Sequence, residues 1–184
     1  MNAPDGTPSH GKNPRGANSF SRRDAETVFH PYSDAVANAR DGSLVITRGK
    51  GVNVWDEDGN EYIEGMSGLW CASLGFGEDR LADAAAAQMR ILPFYHGFNQ
   101  KSHPPQIELA ERLLALAPVP MEKVFFCNSG SEAADSAVKM VWYLNNALGR
   151  PNKKKIISRF KAYHGVTIAA ASITGVPTNH TAFD

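Results

Sequence analysis

Six consecutive residues, Asn128-Ser129-Gly130-Ser131-Glu132-Ala133, carry the clearest chemical signal in the chain. They follow the short apolar run Val124-Phe125-Phe126-Cys127 and precede a long stretch with helical period. Strand, small-residue turn and helix in succession aim several backbone N–H groups at one point, at the positive end of a helix. Anions, above all phosphate, bind there. Glycine lets the backbone approach such a ligand closely, and serine hydroxyls add donors. Taken alone, Ser129, Gly130 and Ser131 would equally serve as an N-capped turn with no ligand. Glu132 reads as a charge that complements the helix N-terminus rather than as a ligand.

The elements around this turn bring a second group to it. Ala134, Val138, Val141 and Leu148 form one helical stripe, which Gly149 and Pro151 terminate. Lys155-Ile156-Ile157-Ser158 then reads as a strand. With the strand expected at 123–127 this makes the length of a βαβ unit, so the two strands are expected to be parallel. Tyr163-His164-Gly165 follows the second strand. Ligands of open α/β sheets bind beyond the carboxyl ends of the strands, so topology puts the aromatic Tyr163 near the phosphate turn. A phosphate grip beside an aromatic face suits a flat phosphorylated cofactor. Pyridoxal phosphate meets that description, and so, more loosely, do flavin mononucleotide and sugar phosphates.

Upstream, residues 1–19 are rich in Gly, Pro, Asn and Ser and are expected to be a disordered tail. A polar helix is expected from about Ser21, with Ser21 as N-cap and His30-Pro31 as its end. Leu44-Val45-Ile46-Thr47 reads as a strand. Val52–Trp55 and Glu61–Ile63 flank Asp58-Gly59, a strong hairpin signal because the turn needs positive φ. The glycine-rich stretch 65–77 also holds Met66, Leu69, Trp70, Leu74 and Phe76, so an ordered, packed loop is expected rather than a flexible linker. Leu81, Ala84, Ala85 and Met89 share a helix face that Pro93 closes off. The aromatic stretch Phe94-Tyr95-His96-Gly97-Phe98 follows. Pro104 or Pro105 then opens a helix that presents Leu109, Leu113 and Leu116.

The bulk properties exclude several classes. A formal net charge of +0 over 184 residues argues against a nucleic-acid or membrane surface. Lys153-Lys154-Lys155, the one basic run, reads as a solvated strand end. Cys71 and Cys127 have no CxxC partner and are expected to be buried free thiols in a reducing compartment. The histidines lack metal-ligand spacing, no apolar run reaches membrane-spanning length, and the N-terminus lacks a secretory apolar core. A cytoplasmic protein without a metal is the expectation.

In combination the motifs resemble those of class III pyridoxal-phosphate aminotransferases, in the ω-amino acid:pyruvate and amine transaminase branch. The stretch 126–133 is similar to that family's phosphate-binding motif, and Tyr163-His164-Gly165 to its ring-stacking motif. The hairpin from Val54-Trp55-Asp56 through Asp58-Gly59-Asn60, Gly68-Leu69-Trp70-Cys71 with Gly75-Phe76-Gly77, and Leu92-Pro93-Phe94-Tyr95 resemble the same branch.

The resemblance implies an α/β fold, the N-terminal part of a fold-type-I transferase with a mixed, mostly parallel sheet flanked by helices. Its expected organisation is a tail at 1–19, a hairpin-bearing segment at 20–75 and an incomplete first part of the cofactor-binding large domain at 76–184. It implies that Ser129, Gly130 and Ser131 bind the phosphate of pyridoxal 5'-phosphate, that Tyr163 stacks on the ring with His164 beside it, and that Trp70, Tyr32 and Phe94 line a substrate pocket. The partners implied are an amine, a keto acid and, in the full-length protein, a second copy of the chain.

The family's Schiff-base lysine lies downstream of the Tyr-His-Gly motif. Neither Lys139 nor Lys161 stands in its context. The 184-residue chain is therefore expected to be truncated and inactive alone. A non-catalytic paralogue, a mutase or decarboxylase of the same fold, and a phosphosugar-binding module are the alternatives.

Overall fold

The structure, a computed structural model, describes residues 19–181. The tail expected at 1–19 lies outside the described residues, apart from Ser19. The described chain divides into two compact units between Tyr95 and His96.

The first unit opens with helices α1 (Phe20–Thr27) and α2 (Ala35–Asp41). Ser19, not Ser21, caps α1, its side chain accepting from the Arg22 N–H. Ser21 is drawn inside instead. Its hydroxyl donates to the Ser43 carbonyl at 2.8 Å and its N–H donates to the Glu57 carboxylate at 3.2 Å. Asp24 accepts from the Ser43 hydroxyl and pairs with His30 Nε2 at 2.7 Å, which fastens the α1 end to the chain beyond α2. These bonds, with Ser43 the larger influence, hold the Asp24 carboxyl below its ordinary range.

Strands β1 (Ile46–Lys50), β2 (Asn53–Asp56) and β3 (Glu61–Ile63) then form an antiparallel sheet in the order β1-β2-β3. The first strand begins two residues later than expected. The β2–β3 hairpin pairs Val54 with Tyr62 and Trp55 with Glu61. Gly59, at φ +84°, supplies the left-handed residue that the turn demands.

The buried Asp56 carboxylate holds this hairpin together. It accepts from the N–H groups of Asp58 and Asn60, from the Asn60 amide and from the Tyr62 hydroxyl, at 2.9–3.0 Å. These donors, the Asn60 side chain foremost, hold its pKa at about 2.

The glycine-rich stretch is ordered, as expected, but Met66, Leu69, Trp70 and Leu74 are exposed rather than packed, since no described element covers them. Its one turn, α3 (Ser67–Trp70), winds left-handed: φ is +50° at Ser67, +59° at Gly68, +57° at Leu69 and +70° at Trp70. Three of the four residues carry a Cβ, and each meets a cost of about 1–2 kcal/mol in this region. Helix α4 (Asp79–Ile91) completes the unit and stops before Pro93.

The second unit contains α5 (Pro104–Leu116), α6 (Gly130–Ala147), α7 (Ile168–Ile173) and a 3-10 turn at Pro177–Asn179. Proline opens α5, and Gly149, at φ +68°, follows the end of α6, both as expected. The strands expected at 123–127 and 155–158 are not formed. Neither run pairs with a described residue, so no parallel βαβ ladder exists within these residues. A strand needs a neighbour along its whole edge, and the two runs do not supply one to each other.

Lys154 is not a solvated strand end. Its ammonium donates to the Trp142 carbonyl at 3.1 Å and to Asn146, while its own carbonyl accepts from the Trp142 indole at 2.9 Å. Cys127 is half-buried and Cys71 exposed, which corrects the expectation that both thiols are buried.

The helical stripes form as helices but are not covered. Leu81, Met89, Leu109, Leu113, Val141 and Leu148 are all exposed, and Val54 and Ala170 are the buried apolar side chains among the described residues. A stripe is buried only against a second layer, and among the described elements helix packs on helix at α1–α2 and α6–α7.

Candidate functional site

Ser129 stands immediately before α6 in extended conformation, and its hydroxyl accepts from the Glu132 N–H at 3.1 Å. Glu132 reaches back to the N–H and side-chain amide of Asn128, at 3.0 and 3.2 Å. These three bonds close the turn from both sides, in the manner of a capping box. Glu132 is thereby occupied as a helix-terminal acceptor, as its sequence position suggested.

The N–H groups of Gly130 and Ser131 have no acceptor among the described residues, and the space where a Gly130 side chain would sit is open. Two free N–H groups in the first turn of an 18-residue helix face the solvent, which is the donor set that a phosphate dianion needs.

The second loop reaches this turn by close backbone contact. Ser131 Oγ accepts from the Val166 N–H at 2.9 Å, which leaves the hydroxyl proton free to donate. Gly165 lies against the same residue. A Cβ there would fall 2.4 Å from Ser131 Oγ and 2.8 Å from Ser131 Cα, at a φ of +130°. Glycine is required on both counts. Tyr163 and His164 stand two residues and one residue ahead of the contact point. The Tyr163 ring is exposed, free to meet a flat ligand, and the His164 N–H donates to Thr174 Oγ1 at 2.9 Å.

Three residues that sequence reasoning missed build this arrangement. Thr174, wholly buried, accepts from His164, and its hydroxyl lies within bonding distance of the Ala170 and Gly165 carbonyls. Asp135, one turn into α6, accepts from the Thr167 hydroxyl at 2.8 Å and the Ala170 N–H at 2.9 Å, which ties α7 to α6. Gly175 lets the chain cross residues 159–161, for a Cβ there would fall 2.2 Å from the Arg159 carbonyl oxygen. Its carbonyl accepts from Lys161 and its N–H donates to Ala162, both at 2.7 Å. The lone glycine at 175, just past an apolar helix, was the available signal for the last of these. Nothing local marks the other two.

The remaining candidates belong to the first unit. Tyr32 lies in the turn between α1 and α2 at φ +53°, Trp70 ends α3, and Phe94 follows α4. All three present their rings to the surface of that unit.

Residues 35–184 match the family model described as aminotransferase class-III. Over 142 residues, 77% of this chain, the sequence is 53% identical to the mitochondrial gamma aminobutyrate transaminase 1 of Solanum lycopersicum and 54% identical to the vanillin aminotransferase of Capsicum frutescens. The stretch covers 28% and 31% of those two proteins. Among solved structures, a thermostable omega transaminase variant from Pseudomonas jessenii superposes with a TM-score of 0.89 at 58% identity, covering 90% of this chain and 37% of that one. An omega transaminase of the same organism in complex with PMP gives 0.88 at 57%, with the same coverage. The chain thus spans less than a third of the length of these curated relatives and just over a third of the solved chains.

Proposed function

This chain belongs to the class-III aminotransferase family, and from that premise we propose that the protein it forms part of transfers an amino group from an amine or ω-amino acid to pyruvate. Class-III aminotransferases depend on pyridoxal 5'-phosphate, and the residues present fit that group. The observation that carries the reading is the meeting of Ser131 with Gly165 and Val166. It sets two free helix-terminal N–H groups and one free hydroxyl proton beside the loop that bears Tyr163.

In this reading Gly130 and Ser131 hold the cofactor phosphate through their N–H groups, and the Ser131 hydroxyl adds a third donor. Ser129 keeps the turn in the shape that exposes those donors, because its own hydroxyl is spent on the Glu132 N–H. Tyr163 covers one face of the pyridine ring and shields it from water. His164, fixed through its backbone by Thr174, flanks the ring. When bound, the cofactor supplies the electron sink through which an amino group passes between an amine and a keto acid.

Trp70, Tyr32 and Phe94 form the apolar wall for the amine substituent. The active protein is a homodimer or larger, in a reducing compartment, the cytoplasm in this proposal. The unpaired Cys71 and Cys127 agree with a reducing compartment. Among the described residues no helix is long and apolar enough to cross a membrane. Lys139 and Lys161 are given no catalytic role. Lys139 lies on α6, and Lys161 is held by its N–H to Gly175. The 184-residue chain alone is proposed to hold the cofactor's phosphate and ring but not to turn over.

The full-length protein, supplied with an amine donor and pyruvate, is expected to form alanine. S131A is expected to weaken pyridoxal phosphate binding by about tenfold, the loss of one charge-assisted bond. Alanine formation that does not depend on added amine donor, or cofactor affinity indifferent to S131A, would overturn the reading.

A further inference from the structure

The left-handed turn that ends in Trp70 does not hold itself. Four successive residues stand at positive φ, among them the bulky Leu69 and Trp70, and such residues return to the right-handed region unless their surroundings forbid it. The surroundings here are one side chain and two ends of a loop. Glu64 Oε1 accepts from the Met66 N–H at 2.8 Å, and Oε2 accepts from the Gly68 N–H. These are N–H groups at the start of the turn, which the turn's own bonds do not satisfy. Those bonds run from the Trp70 N–H to the Met66 carbonyl and from the Ala72 N–H to the Ser67 carbonyl, both at 2.8 Å.

The Glu64 backbone is anchored in turn, because its N–H donates to the Val52 carbonyl at 2.9 Å, beyond the last β2–β3 pair. At the far end of the loop, Phe76 and Gly51 exchange N–H···O bonds at 2.8 and 2.9 Å. Both ends are thus fixed to the neighbouring residues Gly51 and Val52, and the loop between them presents Trp70 with 83% of its surface exposed.

We propose that Glu64 is a positioning residue for substrate specificity: its carboxylate locks the left-handed turn and so fixes the direction in which Trp70 faces the amine substituent. The inference rests on the reading above that Trp70 lines the substrate pocket. It adds a residue that touches neither substrate nor cofactor. Both carboxylate oxygens are used, so glutamine, with one acceptor oxygen, keeps part of the lock and alanine none.

The test uses the full-length holoenzyme with a small aliphatic amine (isopropylamine) and an aryl amine (1-phenylethylamine), together with hydrogen exchange of the amides in 66–72. E64A is expected to raise KM for the aryl amine about tenfold over its effect on the aliphatic amine, the scale of two lost caps. Both kcat and cofactor affinity should stay within about twofold. E64Q should fall between E64A and the wild type. In a W70L background the E64A effect should vanish, and in E64A the Met66 and Gly68 amides should exchange about tenfold faster or more. A KM change equal for both amines, or additivity of E64A with W70L, overturns the specificity role. Unchanged exchange overturns the lock. A wild type that does not transaminate, with the exchange response intact, overturns the pocket reading of Trp70 while the lock stands.

Discussion

Two polar knots organise the two units, and they are tied differently. In the hairpin the buried Asp56 gathers donors from Asp58, Asn60 and Tyr62, none more than six residues away. In the second unit, Ser131, Asp135 and Thr174 join segments up to 35 residues apart, through Val166, Thr167, Ala170 and His164. The first knot shapes a turn and needs only the chain nearby. The second brings together the two loops that make the candidate cofactor site, and it forms only once α7 has packed on α6. The local knot is therefore expected to bear on stability alone, and the long-range one on stability and on the proposed cofactor site together.

Breaking each knot in the full-length protein tests this contrast. Gly165→Ala should have the largest effect, since the new Cβ would press into Ser131 at a backbone angle that suits only glycine. A loss of about 3–5 kcal/mol in thermal denaturation is expected, with loss of bound cofactor. Retention of cofactor at wild-type affinity would mean that the two loops do not share a ligand.

Asp56→Ala should lower the melting temperature by several degrees and leave cofactor affinity unchanged. This knot also predicts a pH dependence. The folded Asp56 pKa of about 2 lies below its ordinary value of 3.8. The carboxylate therefore contributes stability that is fully present above about pH 4 and is lost as pH falls toward 2. The D56A variant should lack that portion of the acid transition, and an identical acid transition in both proteins would dissolve the knot.

Thr174→Val keeps the shape but strands the His164 N–H, so a cost of about 2 kcal/mol is expected, with weakened cofactor binding because the Tyr163–His164 loop loosens. Ser129→Ala removes one helix cap and should cost about 1 kcal/mol, measured by the same denaturation. If T174V altered stability alone, the long-range knot would be no different in kind from the hairpin.

The legibility of the molecule follows the same division. The hairpin, the proline at the start of α5, the cap at Ser129 and the glycine after α6 were readable because each is decided by residues within a turn of it. The misread positions were those where a distant group intervened. Ser21 has the composition of a cap, but the Ser43 carbonyl and Glu57 draw it inward. Lys154 has the look of a solvated charge, but the Trp142 and Asn146 acceptors on α6 bind it. The runs at 123–127 and 155–158 have strand composition, yet composition cannot supply the neighbouring strand that a ladder requires.

By itself, then, the sequence determined the small-residue turn at 128–131 and the helix that follows it, because spacing within one helical turn decides which N–H groups are satisfied and which remain free. It also marked Tyr163 and Trp70 as aromatic residues in glycine-bearing loops. Only the tertiary structure decided that Gly165 touches Ser131, that Thr174 and Asp135 hold the two loops in register, and that Trp70 stands on a left-handed turn locked by Glu64. Those features depend on backbone approaches between segments far apart in sequence, or on a conformation that residues such as Leu69 and Trp70 do not choose alone. No local propensity encodes either one.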